Sequence, residues 1–169
     1  ESQGSAKGGG VMMDRLFPAR FDNDYRGHPA ALALLGAFLL LKAFASINQI
    51  GVNPWWSSRA VLQGVEAVPL RAFGSTEADV ALTLFAWWGV EGLAWALLGV
   101  MALFRYRAMV PLYFLIAAAT KIADQAIVEA SPLTGMLGTG ATPPYAAIAL
   151  LLIGLALSLT PARRRDNGA

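Results

Sequence analysis

The sequence predicts an all-α integral membrane protein, an up-down four-helix bundle with a short interfacial helix in its first outer loop. Three observations carry this expectation. Four segments are apolar over a length that crosses a bilayer. Hydrophobic residues make up 56% of the 169-residue chain and charged residues only 14%. Arginines gather beside alternate ends of the apolar segments. A hydrocarbon layer of about 30 Å takes about 20 helical residues, and the segments must be helical there because no water satisfies an open strand's backbone.

Residues 1–28 read as a flexible cytoplasmic N-terminal tail, opening with the glycine-rich ESQGSAKGGG. No cleavable signal peptide is expected, since the first apolar run follows DRLFPARFDNDYRGH and is too long for a signal core. That run, Pro29 to Ile50, is the first span, and His28 before it reads as a surface residue. The outer loop from Gly51 to Thr76 contains NPWWSSRAVLQGVEAVPLRAFG. There Ser57 or Ser58 caps a short helix, Val61, Leu62, Val65 and Val68 recur at helical spacing, and Pro69 ends it. Trp55 and Trp56 suit the headgroup region.

The second span, Glu77 to Phe104, starts in STEADV, where Glu77 and Asp79 oppose the positive end of the helix dipole. The third runs from Ala108 to Ala130 with Pro111 near its first turn, and the fourth from Pro144 to Thr160. Between them GMLGTGATPP reads as a turn, because no strand precedes its glycines and no positive charge stands near to hold a phosphate. In the fourth span Gly154 and Ser158 form a small-xxx-small step that permits close helix approach. The transmembrane domain thus covers 29–161, and 162–169 form a basic cytoplasmic tail.

Orientation follows from the arginines. Arg15, Arg20, Arg26, Arg105, Arg107, Arg163, Arg164 and Arg165 all fall on one side, which places both termini in the cytoplasm. Short connections make consecutive helices antiparallel neighbours. The chain has no cysteine and one histidine, which removes disulfides, thiolate metal sites and most imidazole chemistry, so no metal site and no cofactor are expected. A net charge of +2 is too small for a nucleic-acid partner. The expected partners are the lipid bilayer, a membrane protein or second copy, and a lipophilic ligand.

Within ALTLFAWWGVEGLAWALLGV, Glu91 is an acid amid apolar residues, and Lys42, Lys121 and Asp124 are its counterparts on other spans. Each charge costs about 2.5 to 3.5 kcal/mol at the centre of a lone spanning helix, so the four are expected to face inward and pair. Ser46 and Gln49 follow Lys42 at helical spacing, Thr120 precedes Asp124, and Gln125 follows Lys121. Thr83, Trp87, Glu91 and Trp95 form an i, i+4 ladder, with Trp88 three residues before Glu91. The candidate ligand-binding set is Lys42, Gln49, Trp87, Trp88, Glu91, Trp95, Lys121, Asp124 and Gln125, and no residue is assigned a catalytic role. Two readings stay open: an ion pair that fixes helix register, and a working site. Lys121 and Asp124, three residues apart on one helix, are also able to satisfy each other.

FDNDYRGHPAALALL, LLKAFASINQI and FAWWGVEGLAWALLGVMALFRYRAMVPLYFL together resemble a group of small bacterial four-span membrane proteins, over most of the chain after Phe21. In layout the chain is also similar to DoxX-like proteins and, more loosely, to EXPERA bundles, which place acids and tryptophans inside a helical pocket. The resemblance implies a bacterial inner membrane location and transfers no activity to any residue.

Three functions remain open: a non-catalytic subunit or scaffold of a larger membrane assembly, a pocket for a lipophilic or amphipathic small molecule, and proton-coupled transport by a dimer through Glu91. No reaction is specified. The topology has a direct test. In a cell, single cysteines replacing Ser58 and Thr139 should react with an impermeant thiol reagent from outside, and one replacing Ala162 should not; the opposite pattern overturns the orientation.

Overall fold

The computed structural model describes residues 13–20, 22–64, 66, 68–131 and 144–161, and among these the chain is all-helical. The helices are α1 (Pro29–Ile50), α2 (Ser58–Gly64), α3 (Ser75–Phe104), α4 (Val110–Ala130) and α5 (Pro144–Leu159), with 3-10 turns at Leu70–Ala72 and Arg107–Met109. Three helical stretches, Pro29–Ile50, Ser75–Phe104 and Arg107–Ala130, are long and apolar enough to cross a membrane. At 16 residues α5 rises about 24 Å, short of an unthinned hydrocarbon layer. The glycine turn expected at 135–144 lies outside the described residues up to Pro144, as do Val65 and the basic tail 162–169.

Local chemistry explains the helix ends. His28 is exposed, as expected, and also caps α1: its Nδ1 accepts from the Ala30 amide at 3.2 Å, and Pro29 follows where a missing N–H costs nothing. Gly51 closes α1 in the left-handed region, at φ 81°, a conformation that costs other residues energy. Buried Asn48 accepts from Asn53 Nδ2 at 2.6 Å, and Asn53 Oδ1 in turn accepts from the Trp55 amide, so the loop that follows is tied to the end of α1. Of the two candidate caps of α2, Ser57 is the one that accepts, from the Ala60 amide at 3.2 Å. This helix ends at Gly64, ahead of Pro69. It buries Val61 and Leu62 with Leu70, Ala78 and Phe85, on the start of α3.

The long helices do not all pack as chain order suggests. Helix α3 lies along α1, α4 lies along α5, and α1 also meets α5, but the consecutive pair α3 and α4 touches only sparsely. The cause is a stripe of small residues on α3. Gly89 and Gly92 lie against Ser46 and its neighbours on α1, and Gly99 lies against Leu39 and Tyr113. Such residues let backbones approach, whereas the side of α3 that looks toward α4 carries Trp88 and Trp95. On the far side, Gly154 admits the Phe114 ring, and Ala31, Leu35, Leu39, Phe114, Ala118 and Leu151 form the main core between α1, α4 and α5.

Residues 22–28 close over the end of the molecule where α5 finishes. The His28 amide donates to Leu157 O at 3.0 Å, Gly27 pairs with Pro161, Arg15 Nη1 donates to Leu159 O at 2.7 Å, and the Ala108 amide donates to Asp22 O. The segments before α1 and after α5 therefore lie at one end of the molecule.

The glycine stripe generates a stability prediction. A methyl at Gly89 would stand 2.9 Å from Gln49 Cβ, Ile50 Cγ1 and the Ser46 carbonyl oxygen, none of which swings away freely. Gly89→Ala should destabilise the detergent-solubilised protein by about 1–3 kcal/mol through overpacking. Gly64→Ala, with nothing within 4 Å, serves as the control and should melt like the wild type. Equal melting of both variants would mean that α1 and α3 are not this close.

Candidate functional site

The sparse contact between α3 and α4 leaves a seam, and the candidate site lies in it. A cavity of about 70 Å³ is lined by Phe38 and Lys42 of α1, Trp88, Glu91 and Trp95 of α3, and Tyr113, Ala117, Thr120, Lys121 and Asp124 of α4. Helical spacing makes this wall: 88, 91 and 95 share one side of α3, while 113, 117, 121 and 124 share one side of α4. Helix α1 supplies the floor. All four ionisable residues singled out in the spans line this one space.

The seam is tied at one level by an aromatic contact. Trp95 and Tyr113 meet edge to face with centroids 6.2 Å apart, and Tyr113 Oη donates to Trp95 O at 3.1 Å. Toward the α1–α3 loop from that tie stand the charges. Lys121 Nζ pairs with Asp124 Oδ2 at 2.9 Å. Glu91 is exposed and accepts from Trp95 Nε1 at 3.3 Å, a long bond. Lys42 is half-buried, and among the described residues it has no hydrogen bond and no carboxylate within 4 Å. Both lysines sit beside Trp88, Lys42 with Nζ 6.0 Å and Lys121 with Nζ 5.4 Å from the ring centroid. A cation within about 6 Å of an indole ring is attracted by its quadrupole. One turn from Lys42, Ser46 Oγ is buried without a hydrogen-bond partner among the described residues.

Three members of the candidate set stand elsewhere. Gln49 is 8% exposed and packs where α1 meets Gly89. Trp87 is 71% exposed and turns away from the cavity, which takes Trp88 instead. Gln125 donates to Glu129 Oε1 at 2.8 Å, and the same carboxylate oxygen accepts from Tyr145 Oη, joining α4 to α5. Phe38 and Tyr113 line the site without having been singled out. Phe38 stands one helical turn before Lys42, a spacing that offers a signal for it; Tyr113 has none beyond its place on the same face as Lys121.

Two neighbouring features bear on the electrostatics. Glu66, half-buried after α2, is held above the usual carboxylate pKa by burial, an effect that Lys121 opposes. At the other end, a cavity of about 390 Å³ is lined by three arginines, Arg15, Arg20 and Arg26, and three aspartates, Asp14, Asp22 and Asp24. Arg15 is committed to Leu159 O, and Arg26 to Asp24 at 2.8 Å. Beside it burial pushes the Tyr25 hydroxyl up to about 12, so it stays protonated and donates to His28 O. Among the described residues, no three of His, Cys, Asp and Glu gather as a metal site.

No family model, curated protein or solved structure matches this chain.

The raised pKa of Glu66 fixes a sign. An acid whose folded pKa lies above its unfolded value binds protons more tightly when folded, so its stabilising contribution is present below the unfolded value, 4.5, and fades as pH rises through the folded pKa. Thermal midpoints of the wild type and Glu66→Gln should agree below pH 4.5, and the variant should be the more stable at neutral pH. A wild type that gains on the variant with rising pH would place Glu66 in a favourable ion pair instead.

Proposed function

We propose that the chain is an integral membrane four-helix bundle with both termini cytoplasmic, and that its seam binds the polar group of an amphipathic small molecule that approaches sideways from the lipid between α3 and α4. The observation that carries this reading is Lys42. A half-buried ammonium has three donors and no acceptor of its own, and a group left unpartnered away from water costs free energy that a ligand's acceptor recovers. The rings of Trp88, Trp95, Phe38 and Tyr113 supply apolar walls for the remainder of such a molecule. Lys42, Glu91 and Lys121 each lie near the middle of their helix, so the polar group would sit at mid-depth.

The geometry supports the subunit reading less. A partner helix seated in the seam would have to break the Tyr113 to Trp95 bond, and the cavity of about 70 Å³ holds a head group rather than a helix. Proton transport needs a path to both faces, and the Trp95–Tyr113 contact stands across one of them.

Native mass spectrometry of the protein released in mild detergent tests the reading. The wild type should carry a lipophilic adduct of small-molecule mass, and Trp88→Ala combined with Trp95→Ala should lose it while remaining folded. A second polypeptide in place of the adduct would return the subunit reading to first place.

A further inference from the structure

The charges that line the seam also select the kind of head group, given the binding reading above on which this inference rests. Lys42, Lys121, Glu91 and Asp124 sum to zero formal charge, and a proton passed among them leaves that sum unchanged. Glu66 stands outside the lining. An anionic or cationic head would therefore leave one unbalanced charge at mid-depth, where a lone charge is costly. The hydrogen-bonding inventory points the same way. Lys42 offers donors without an acceptor, while Glu91 across the cavity has only one long bond to Trp95 and so has an oxygen to spare. The two are more than a salt-bridge length apart, which leaves room for a group that accepts from one and donates to the other.

Size narrows the choice further. One water needs about 10–15 Å³ of such space, so about 70 Å³ holds a head the size of a few waters. We infer that the seam binds an uncharged long-chain lipophile whose small head both donates and accepts hydrogen bonds, of the hydroxyl, amide or acylglycerol class, in preference to a fatty acid anion or an alkyl ammonium.

Three probes with one chain and three heads separate the outcomes: 1-oleoylglycerol, oleate and oleylamine, supplied together to the purified full-length protein at a pH where the acid is ionised and the amine protonated. Native mass spectrometry counts the adducts. The wild type should retain 1-oleoylglycerol on the order of tenfold over either charged probe, which corresponds to about 1.4 kcal/mol. Glu91→Gln leaves the lining with an extra positive charge and should move the preference to oleate. Lys42→Met should move it to oleylamine, and the double variant should return it to 1-oleoylglycerol. Oleate or oleylamine held as well as 1-oleoylglycerol by the wild type overturns the inference, and this comparison decides alone if a single variant does not fold. A folded Glu91→Gln that keeps the neutral preference also overturns it. Retention of none of the three would instead defeat the binding reading itself.

Discussion

The close approach of α3 to α1 is the contact on which the rest of the arrangement depends. Gly89 and Gly92 bring the two helices together, Gly99 admits the side chains of Leu39 and Tyr113, and what lies beside them follows from helical geometry. With the small residues against α1, Trp88, Glu91 and Trp95 are turned to the edge of α3 that faces α4, and Trp87 is turned outward. A tight pairing on one side thus opens a seam on the other. The Tyr113 to Trp95 bond and the edge-to-face contact of the two rings tie the seam at one level, and Lys121 stands against Trp88 across it at another. In lipid, where tails are as apolar as leucine, helices associate through such packing rather than through a hydrophobic drive, so the small-residue face wins the close contact and the bulky face loses it.

The four charges respond to the same geometry unevenly. Lys121 and Asp124 meet within one helix and need nothing from the others. Lys42 and Glu91 lie on helices pressed together at Gly92, yet each side chain emerges beside the contact, into the seam, and they do not join. Gly92 itself has Ser46 Oγ and the end of the Lys42 side chain over its Cα, which shows how the lysine leaves the α1–α3 interface by passing a residue with no side chain. The unpaired donor and the half-used acceptor are therefore consequences of how α3 was drawn to α1.

Much of this was readable from the residues. The spans from Pro29, near Ser75 and near Val110 were marked by apolar length with proline or acid at the start, signals that act locally and do not depend on what packs against the helix. The four ionisable residues were legible for the same reason, since a charge at mid-span has to be sheltered wherever the neighbouring helices stand. Rotational choices were less legible. Trp87 and Trp88 are adjacent and both entered the candidate set, because spacing alone does not say which of them faces α4; Trp88 lines the cavity and Trp87 is exposed. The glycines that decide the matter lie in the same stretch, but their effect is expressed only against Ser46 and Gln49 on another helix. Gln49 and Gln125 carry the right chemistry and are spent on packing and on Glu129. Short loops suggested that each helix would lie along the next, an expectation that fails at α3 and α4 because loop length limits the distance between helix ends and not the closeness of their sides.

The same asymmetry bears on how four ionisable residues are accommodated among so few helices. A fully closed interior would have to pair Lys42 within the protein, and a fully open one would leave both lysines against lipid, each at several kcal/mol. The seam lies between these limits. Trp88, 40% exposed, stands beside both ammonium groups and covers them with an aromatic face that lipid tolerates and that attracts cations. Since that ring also meets Phe85 edge to face at 6.3 Å, and Phe85 is buried under α2, the loop between α1 and α3 helps to hold the cover in place. The loop helix, the tryptophan and the charges therefore lie in one run of contacts, from Val61 and Leu62 through Phe85 and Trp88 to Lys42 and Lys121.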